Sequence, residues 1–335
     1  MRLLILTQKV DKNDDNLGFF HRWVEEFARQ CEQVTVICLF EGTHSLPSNV
    51  RVLSLGKESG VSRLKYLRRF YSYIWRERKN YDAVFVHMNQ IYVVLGGLLW
   101  RLLGKRVGLW YAHGTVSWTL VKATILSHLV FTSTPEGFRV PTKKKRVVGQ
   151  GIDAALFVQK RNYDIGSPMR LVTAGRITFA KDIEGMIDIV AALATREISA
   201  TLDLIGSGER SYIGKLQAHA EERDVVGQIS FLGGMPYGEL AKTLASYDAF
   251  LNLGRTGSLD KALLDGGAAG LPIVTTNPAF KGFSIAADTV SALERLYRTK
   301  SDERRAEANA VRSWIEKEHL LSGLVARIVA CYSRA

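Results

Sequence analysis

Cysteine is scarce in this chain of 335 residues: three thiols, Cys31, Cys38 and Cys331, odd in number and without metal-ligand spacing. Their scarcity argues against a disulfide framework and a cysteine-built metal site, and fits inert thiols in a reducing compartment. Long apolar runs are missing too. The longest, Ile91 to Trp100, is stopped by Arg101 and falls short of the ~20 residues that cross a bilayer. The opening MRLLILTQKV reads as a short strand before a charged loop and has no export-cleavage pattern, so a cytosolic protein is expected. No Asp-x-Asp pair occurs to hold a divalent ion, and neither a metal nor a cofactor is expected. The turn after the first strand, Gln8 to Gly18, lacks GxGxxG, which argues against a dinucleotide-dependent dehydrogenase. There is no repeat of solenoid period and no low-complexity tract.

Acidic residues are thin in one half only. Met1 to Gln150 carries 23 lysines and arginines against 11 acidic residues, whereas Gly151 to Ala335 is balanced at 22 of each. A one-sided field of this kind attracts an anionic surface, either nucleic acid or acidic lipid headgroups. A generic solubilising surface is the competing reading.

What is present is a globular composition, 47% hydrophobic and 23% charged, in a chain long enough for two cores. Each half alternates short apolar strands with helices, the pattern of a doubly wound α/β sheet. Strands are predicted at Arg2–Thr7, Gln33–Phe40, Val50–Leu55, Ala83–His87, Val107–Ala112 and Leu129–Ser133, with helices at Phe19–Gln30, Arg63–Arg78 and Tyr92–Leu103. The second half offers strands at Arg170–Ala174, Thr201–Ile205, Gln228–Leu232, Ala249–Leu253 and Pro272–Thr275, with a helix at Ile183–Thr195. Glu303–Tyr332 fits one or two amphipathic helices, kinked near Ser322-Gly323, that cap the second sheet or reach back to the first domain. The expected division is a domain over 1–150, a linker over 151–168 marked by Gly151, Asn162, Gly166 and Pro168, and a domain over 169–335. Two Rossmann-like domains facing a cleft are predicted.

Thr256 to Val274, TGSLDKALLDGGAAGLPIV, is the most informative stretch. A polar turn opens a short helix whose first amides have no backbone acceptor, and their dipoles converge on whatever lies in front of them. Gly257 permits unusual φ, Thr256 or Ser258 suits a cap, and Lys261 places a cation where it disfavours the helix but suits a phosphate. An ordinary loop before a helix that packs closely through Gly266 to Ala269 is the plainer alternative. After the strand ending at Ala174 comes GRITFAKD, whose Arg176 and Lys181 can clamp one diphosphate, the first by its planar fork and the second as a point charge. LIGSGE at Leu204–Glu209 and FLGGMP at Phe231–Pro236 end strands in glycine turns, where ligands bind in open α/β sheets.

In order and spacing, VVGQGIDAALF at Val147–Phe157, GRITFAKD, LIGSGE, FLGGMP with the helix Tyr237–Ser246, and the TGSLDK segment resemble glycosyltransferase family 4 over nearly the whole length. The resemblance implies a GT-B fold and a retaining, metal-independent enzyme that uses a nucleotide-sugar donor, with UDP ahead of GDP. It implies that Arg176 and Lys181 hold the donor diphosphate, helped by amides of Ser258, Leu259, Asp260 and Lys261. Asp265 would accept hydrogen bonds from the ribose, and the backbone at Met235 would lie near the base. His113, in YAHGT, would approach the transferred sugar, and Gly18 would lie near the donor phosphates or the acceptor. Eight residues before Asp265 the family commonly has Glu; here Gly257 stands there, and Ser258-Leu259-Asp260 replaces the usual Gly-Phe-Gly. TGSLDK is similar to a variant in bacterial envelope-polysaccharide transferases.

RLKYLRRFYSYIWRERK at Arg63–Lys79 mixes cations with aromatics on one helix. Arg68, Arg69, Arg76, Arg78 and Trp75 are the candidate contacts to an anionic membrane surface or an acceptor, and a glycan or lipid-linked sugar is the expected acceptor. A helix packed by its aromatic stripe is the alternative. Other function classes are a non-catalytic nucleotide-sugar binder and a basic nucleic-acid-binding protein, the latter without any recognition motif.

Overall fold

The computed structural model describes residues 1–254, 258–280 and 288–333, so Thr256 and Gly257 lie outside the described residues. Two units emerge: Met1–Gly151 with the chain from Leu321 onward, and Ile152–Leu320.

The first unit holds a parallel sheet of β1 (Arg2–Val10), β2 (Gln33–Glu41), β3 (Val50–Ser54), β4 (Ala83–His87), β5 (Arg106–Trp110), β6 (Leu129–Thr132) and β7 (Lys145–Val147), in the order β3-β2-β1-β4-β5-β6-β7. Alternate residues of β1 face opposite cores, as the period of two requires. Leu3 and Ile5 pack with α1 (Gly18–Gln30) and α11 (Leu321–Ser333), while Leu4 and Leu6 pack with α2 (Arg63–Arg76), α3 (Ile91–Leu102) and α4 (Trp118–Leu126).

The second unit is a five-stranded parallel sheet of β8 (Met169–Ala174), β9 (Ala200–Ile205), β10 (Ile229–Gly233), β11 (Ala249–Asn252) and β12 (Ile273–Thr275), ordered β10-β9-β8-β11-β12. Its helices are α5 (Ile183–Ala194), α6 (Arg210–Glu222), α7 (Tyr237–Thr243), α8 (Lys261–Ala268), α9 (Thr289–Arg298) and α10 (Ser301–Glu318). The small residues of α8 are a packing device. A Cβ on Gly266 would fall 2.7 Å from the ring of Phe250 on β11, and one on Gly267 would fall 2.6 Å from Ile315 of α10.

Two boundaries differ from expectation. The segment after Gly151 is fastened along the second unit rather than strung as a linker: the Val158 and Lys160 amides donate to the carbonyls of Ala241 and Ala269, and the Tyr163 hydroxyl donates to Gly270. The last helix, counted by sequence in the 169–335 domain with a reach back to the first domain as the alternative, belongs with the first unit. Its Leu324, Val325 and Ile328 are fully buried in that core, and the Tyr332 hydroxyl donates to the Val84 carbonyl at 2.7 Å.

Candidate functional site

In each sheet the chain reverses direction once, between β1 and β4 and between β8 and β11. Loops leaving adjacent strands there turn to opposite sides and open a crevice at the strand carboxyl ends.

In the second unit, β8 delivers Gly175, Arg176 and the turn Phe179–Lys181, while β11 delivers Asn252 and, farther on, Asp260 and α8. Gly175 has φ +110°, and a Cβ there would come 3.3 Å from Lys181 Nζ. The neighbouring Gly206 lets the end of β9 lie against this loop, since a Cβ on it would sit 2.0 Å from the Gly175 carbonyl oxygen. LIGSGE therefore supports the Arg176 loop.

The lysines are not bare. Lys181 Nζ donates to Asp260 Oδ2, which also accepts from Asn252 Nδ2 at 3.0 Å, and Asp260 Oδ1 caps α8 by accepting the Ala262 amide at 3.2 Å. A carboxylate of the chain thus stands where a phosphate was expected to meet the helix start. Burial pushes the Asp260 carboxyl up, but Lys181, Asn252 and the Ala262 amide outweigh it and hold the group below its ordinary value. Lys261 turns back along α8. Its ammonium lies 2.8 and 2.9 Å from the two oxygens of Asp265 and 2.6 Å from the Tyr237 hydroxyl, which itself donates to Asp265 Oδ1 at 2.9 Å. Burial pushes the Asp265 carboxyl up and the Lys261 ammonium down, each opposed by its partner.

Arg176 is exposed on the loop after β8, and no ion pair to it occurs among the described residues. Ser258 and Leu259 are buried, and the Ser258 carbonyl accepts from Asn277 Nδ2 at 2.9 Å. Met235 is half-buried between β10 and α7. Gly257 lies outside the described residues. Structure thus brings Lys181, Asp260 and α8 together, and separately Lys261, Asp265 and Tyr237. Sequence reasoning missed Asn252, Asn277 and Tyr237; a polar side chain closing an apolar strand, as in FLN, was the available signal for Asn252.

In the first unit, Gly18 is the buried first residue of α1, with its amide on the Asp14 carbonyl at 3.0 Å. His113 lies just past β5, exposed, its Nδ1 accepting from the Thr115 amide at 3.1 Å, so that Nε2 carries the proton in the neutral ring. Two residues at this crossing went unpredicted. Met88 holds φ 58°, rare without glycine, and His87 is buried with its ring stacked on Phe20 at 4.1 Å.

Burial lowers the His87 pKa to about 3. Because the folded value lies below the unfolded one, the stability it contributes is complete above pH 6.5 and is lost as pH falls toward 3, at about 1.4 kcal/mol per unit. Denaturant unfolding of His87→Phe is expected to show a shallower acid decline than wild type; parallel profiles would contradict a buried neutral imidazole.

On α2, Phe70 and Ile74 are core residues, Arg69 donates to the Leu55 carbonyl at 3.0 Å, and Arg78 lies over the Trp75 ring at 4.4 Å. Arg68, Arg76 and Trp75 are exposed. Phe70 is thus buried, Tyr66 and Tyr73 pack partly against the core, and Tyr71 and Trp75 stay exposed.

Residues 159–324, just under half of the chain, match the family described as glycosyl transferases group 1. The fold is shared with solved glycosyltransferases. Anabaena HepE in complex with UDP-glucose superposes with a TM-score of 0.79 at 14% identity over 100% of both chains. Sucrose-phosphate synthase from Thermosynechococcus elongatus gives 0.77 at 11% identity, over 100% of this chain and 99% of that one. WaaG, a glycosyltransferase involved in lipopolysaccharide biosynthesis, gives 0.68 at 14% over 99% and 100%. None of the curated proteins matches this chain. Together these likenesses support a glycosyltransferase of the GT-B fold.

Proposed function

We propose that the protein is a retaining, metal-independent glycosyltransferase of family 4 that moves a sugar from a nucleoside diphosphate, UDP ahead of GDP, to a glycan or lipid-linked acceptor in envelope-polysaccharide synthesis. The observation that carries the reading is the meeting of Lys181, Asp260, Asn252 and the start of α8 at the β8/β11 crossing, with Arg176 on the same loop. UDP is favoured because the similar HepE binds UDP and UDP-glucose.

As the glycosidic bond breaks, negative charge grows on the β-phosphate. Arg176, Lys181 and the α8 amides stabilise it in place of a divalent ion, Lys181 exchanging Asp260 for phosphate. The acceptor hydroxyl attacks from the face the phosphate leaves, and the departing phosphate takes its proton. In this reading Asp265, held by Tyr237 and Lys261, accepts from the ribose, the Met235 backbone meets the base, Gly18 serves the donor phosphates or the acceptor, and His113 approaches the transferred sugar.

Thermal-shift measurements against UDP, GDP, ADP and their sugars test this, because a ligand of the folded state raises Tm by mass action. UDP and a UDP-sugar are expected to raise Tm in wild type and not in Arg176→Ala. An equal shift in both would remove the phosphate assignment. Donor binding without UDP release on any acceptor would instead favour a non-catalytic binder.

A further inference from the structure

We infer that the outer face of the α2–α3–α4 layer is a docking surface for an anionic lipid bilayer, with leucine and isoleucine side chains of α3 and α4 entering the acyl boundary. The inference stands on the first unit alone and is independent of the donor site.

A helix that covers one face of a sheet should turn polar residues outward. These helices do not. On α3, Ile91, Leu98 and Leu102 follow one another at seven and four residues, a single face, and Leu98 and Leu102 are 65% and 86% exposed. On α4, Trp118, Lys122 and Ile125 share a face at four and three residues, with Trp118 84% and Ile125 66% exposed. The helices are contiguous: the Arg101 guanidinium of α3 donates to the Leu126 carbonyl at the end of α4, and the Tyr71 hydroxyl of α2 donates to the Leu95 carbonyl of α3 at 3.0 Å. Their inward residues, among them Phe70, Tyr92, Trp100 and Leu120, are in the core, so the outward stripes are surplus to folding.

Charge selects the occupant. From Ala83 to Pro135 there is no acidic residue; Arg101 and Lys122 are exposed on α3 and α4, while Lys105 is turned to the Tyr81 carbonyl and Arg106 to the Tyr332 carbonyl of α11. Of the acidic residues on or near α2, Glu77 pairs with Arg51 at 3.0 Å, Asp82 with Arg2 at 2.6 Å, and Glu58 accepts from the Ser54 hydroxyl at 2.7 Å. A surface of exposed leucine, isoleucine and tryptophan whose charged residues on α3 and α4, Arg101 and Lys122, are both cations fits acidic headgroups over hydrocarbon. Nucleic acid would leave the aliphatic side chains without a partner. A second copy of the chain would set like charges against each other. This extends the expected membrane contact from α2, where Trp75 and Tyr71 are exposed, to α3 and α4.

The test is co-sedimentation of the full chain with vesicles of phosphatidylcholine alone or of equimolar phosphatidylcholine and phosphatidylglycerol. Wild type is expected to pellet with the anionic vesicles and to remain in the supernatant with the neutral ones. Leu98→Ser/Leu102→Ser/Ile125→Ser and, separately, Arg101→Glu/Lys122→Glu should each weaken the partition by at least about tenfold. All five positions lie on the helix surfaces, and the charge variant retains every apolar group should the serine variant fold poorly. Pelleting by both variants equal to wild type overturns the inference. So does a lipid-free dimer, seen by sedimentation velocity, that the serine variant turns into a monomer.

Discussion

Asp265→Ala is expected to destabilise the protein by about 3–5 kcal/mol, the cost of leaving a buried charge without its partner. The Asp265 side chain is 4% exposed and that of Lys261 is 14%, with the ammonium also 4.0 Å from the centre of the Tyr237 ring. With the carboxylate gone, the buried ammonium loses the anion that both of its short contacts to Asp265 reach, and burial already pushes its pKa down. The loss belongs to the ammonium left behind in a buried site, not to the pair as such. A double variant, Lys261→Met/Asp265→Leu, should therefore recover most of it, because replacing both members of a buried pair by apolar groups is often neutral. Urea unfolding decides: a single-variant loss below about 1 kcal/mol would fit a solvated pair instead.

Lys181→Ala and Asp260→Asn are expected to move UDP affinity in opposite directions. Lys181 supplies a charge-assisted contact to the diphosphate, so its removal should weaken UDP by ten- to a hundredfold, about 1.4–2.8 kcal/mol. Asp260 is a rival anion, holding Lys181 and the Ala262 amide at the start of α8. Asparagine caps a helix about as well as aspartate, so Asp260→Asn keeps the α8 start while removing the negative charge. UDP should then bind about tenfold more tightly at low salt. If Asp260→Asn weakened UDP as much as Lys181→Ala does, Asp260 would be positioning the lysine, not competing for it.

The periodic parts of the fold were legible because burial writes them into the sequence. Ala83–His87 and the start of β1 at Arg2 coincide with their apolar runs, and α1, α3 and α5 lie within a residue of expectation at each end. What escaped was marginal or context-made. The three-residue β7, KRV, has no burial pattern of its own, and α6 leaves most of its surface exposed, so neither carries a strong hydrophobic period. The Gly151–Pro168 stretch has the composition of a linker, yet Lys160 and Tyr163 tie it down through contacts about a hundred residues away in sequence. At the site, the residue types were readable but their pairing was only partly so. Lys261 and Asp265 stand four apart on a helix and could have been matched. Lys181 and Asp260 meet only because β8 and β11 are neighbours.

The central claim is that the β8/β11 crossing holds a nucleoside diphosphate through Arg176 and Lys181. Calorimetric titration of UDP into the full chain, beside Arg176→Ala/Lys181→Ala, tests it most directly. The account predicts saturable one-site binding in wild type that disappears in the double variant while its melting temperature without ligand is retained. Equal binding by both proteins, or no binding to wild type, would contradict it.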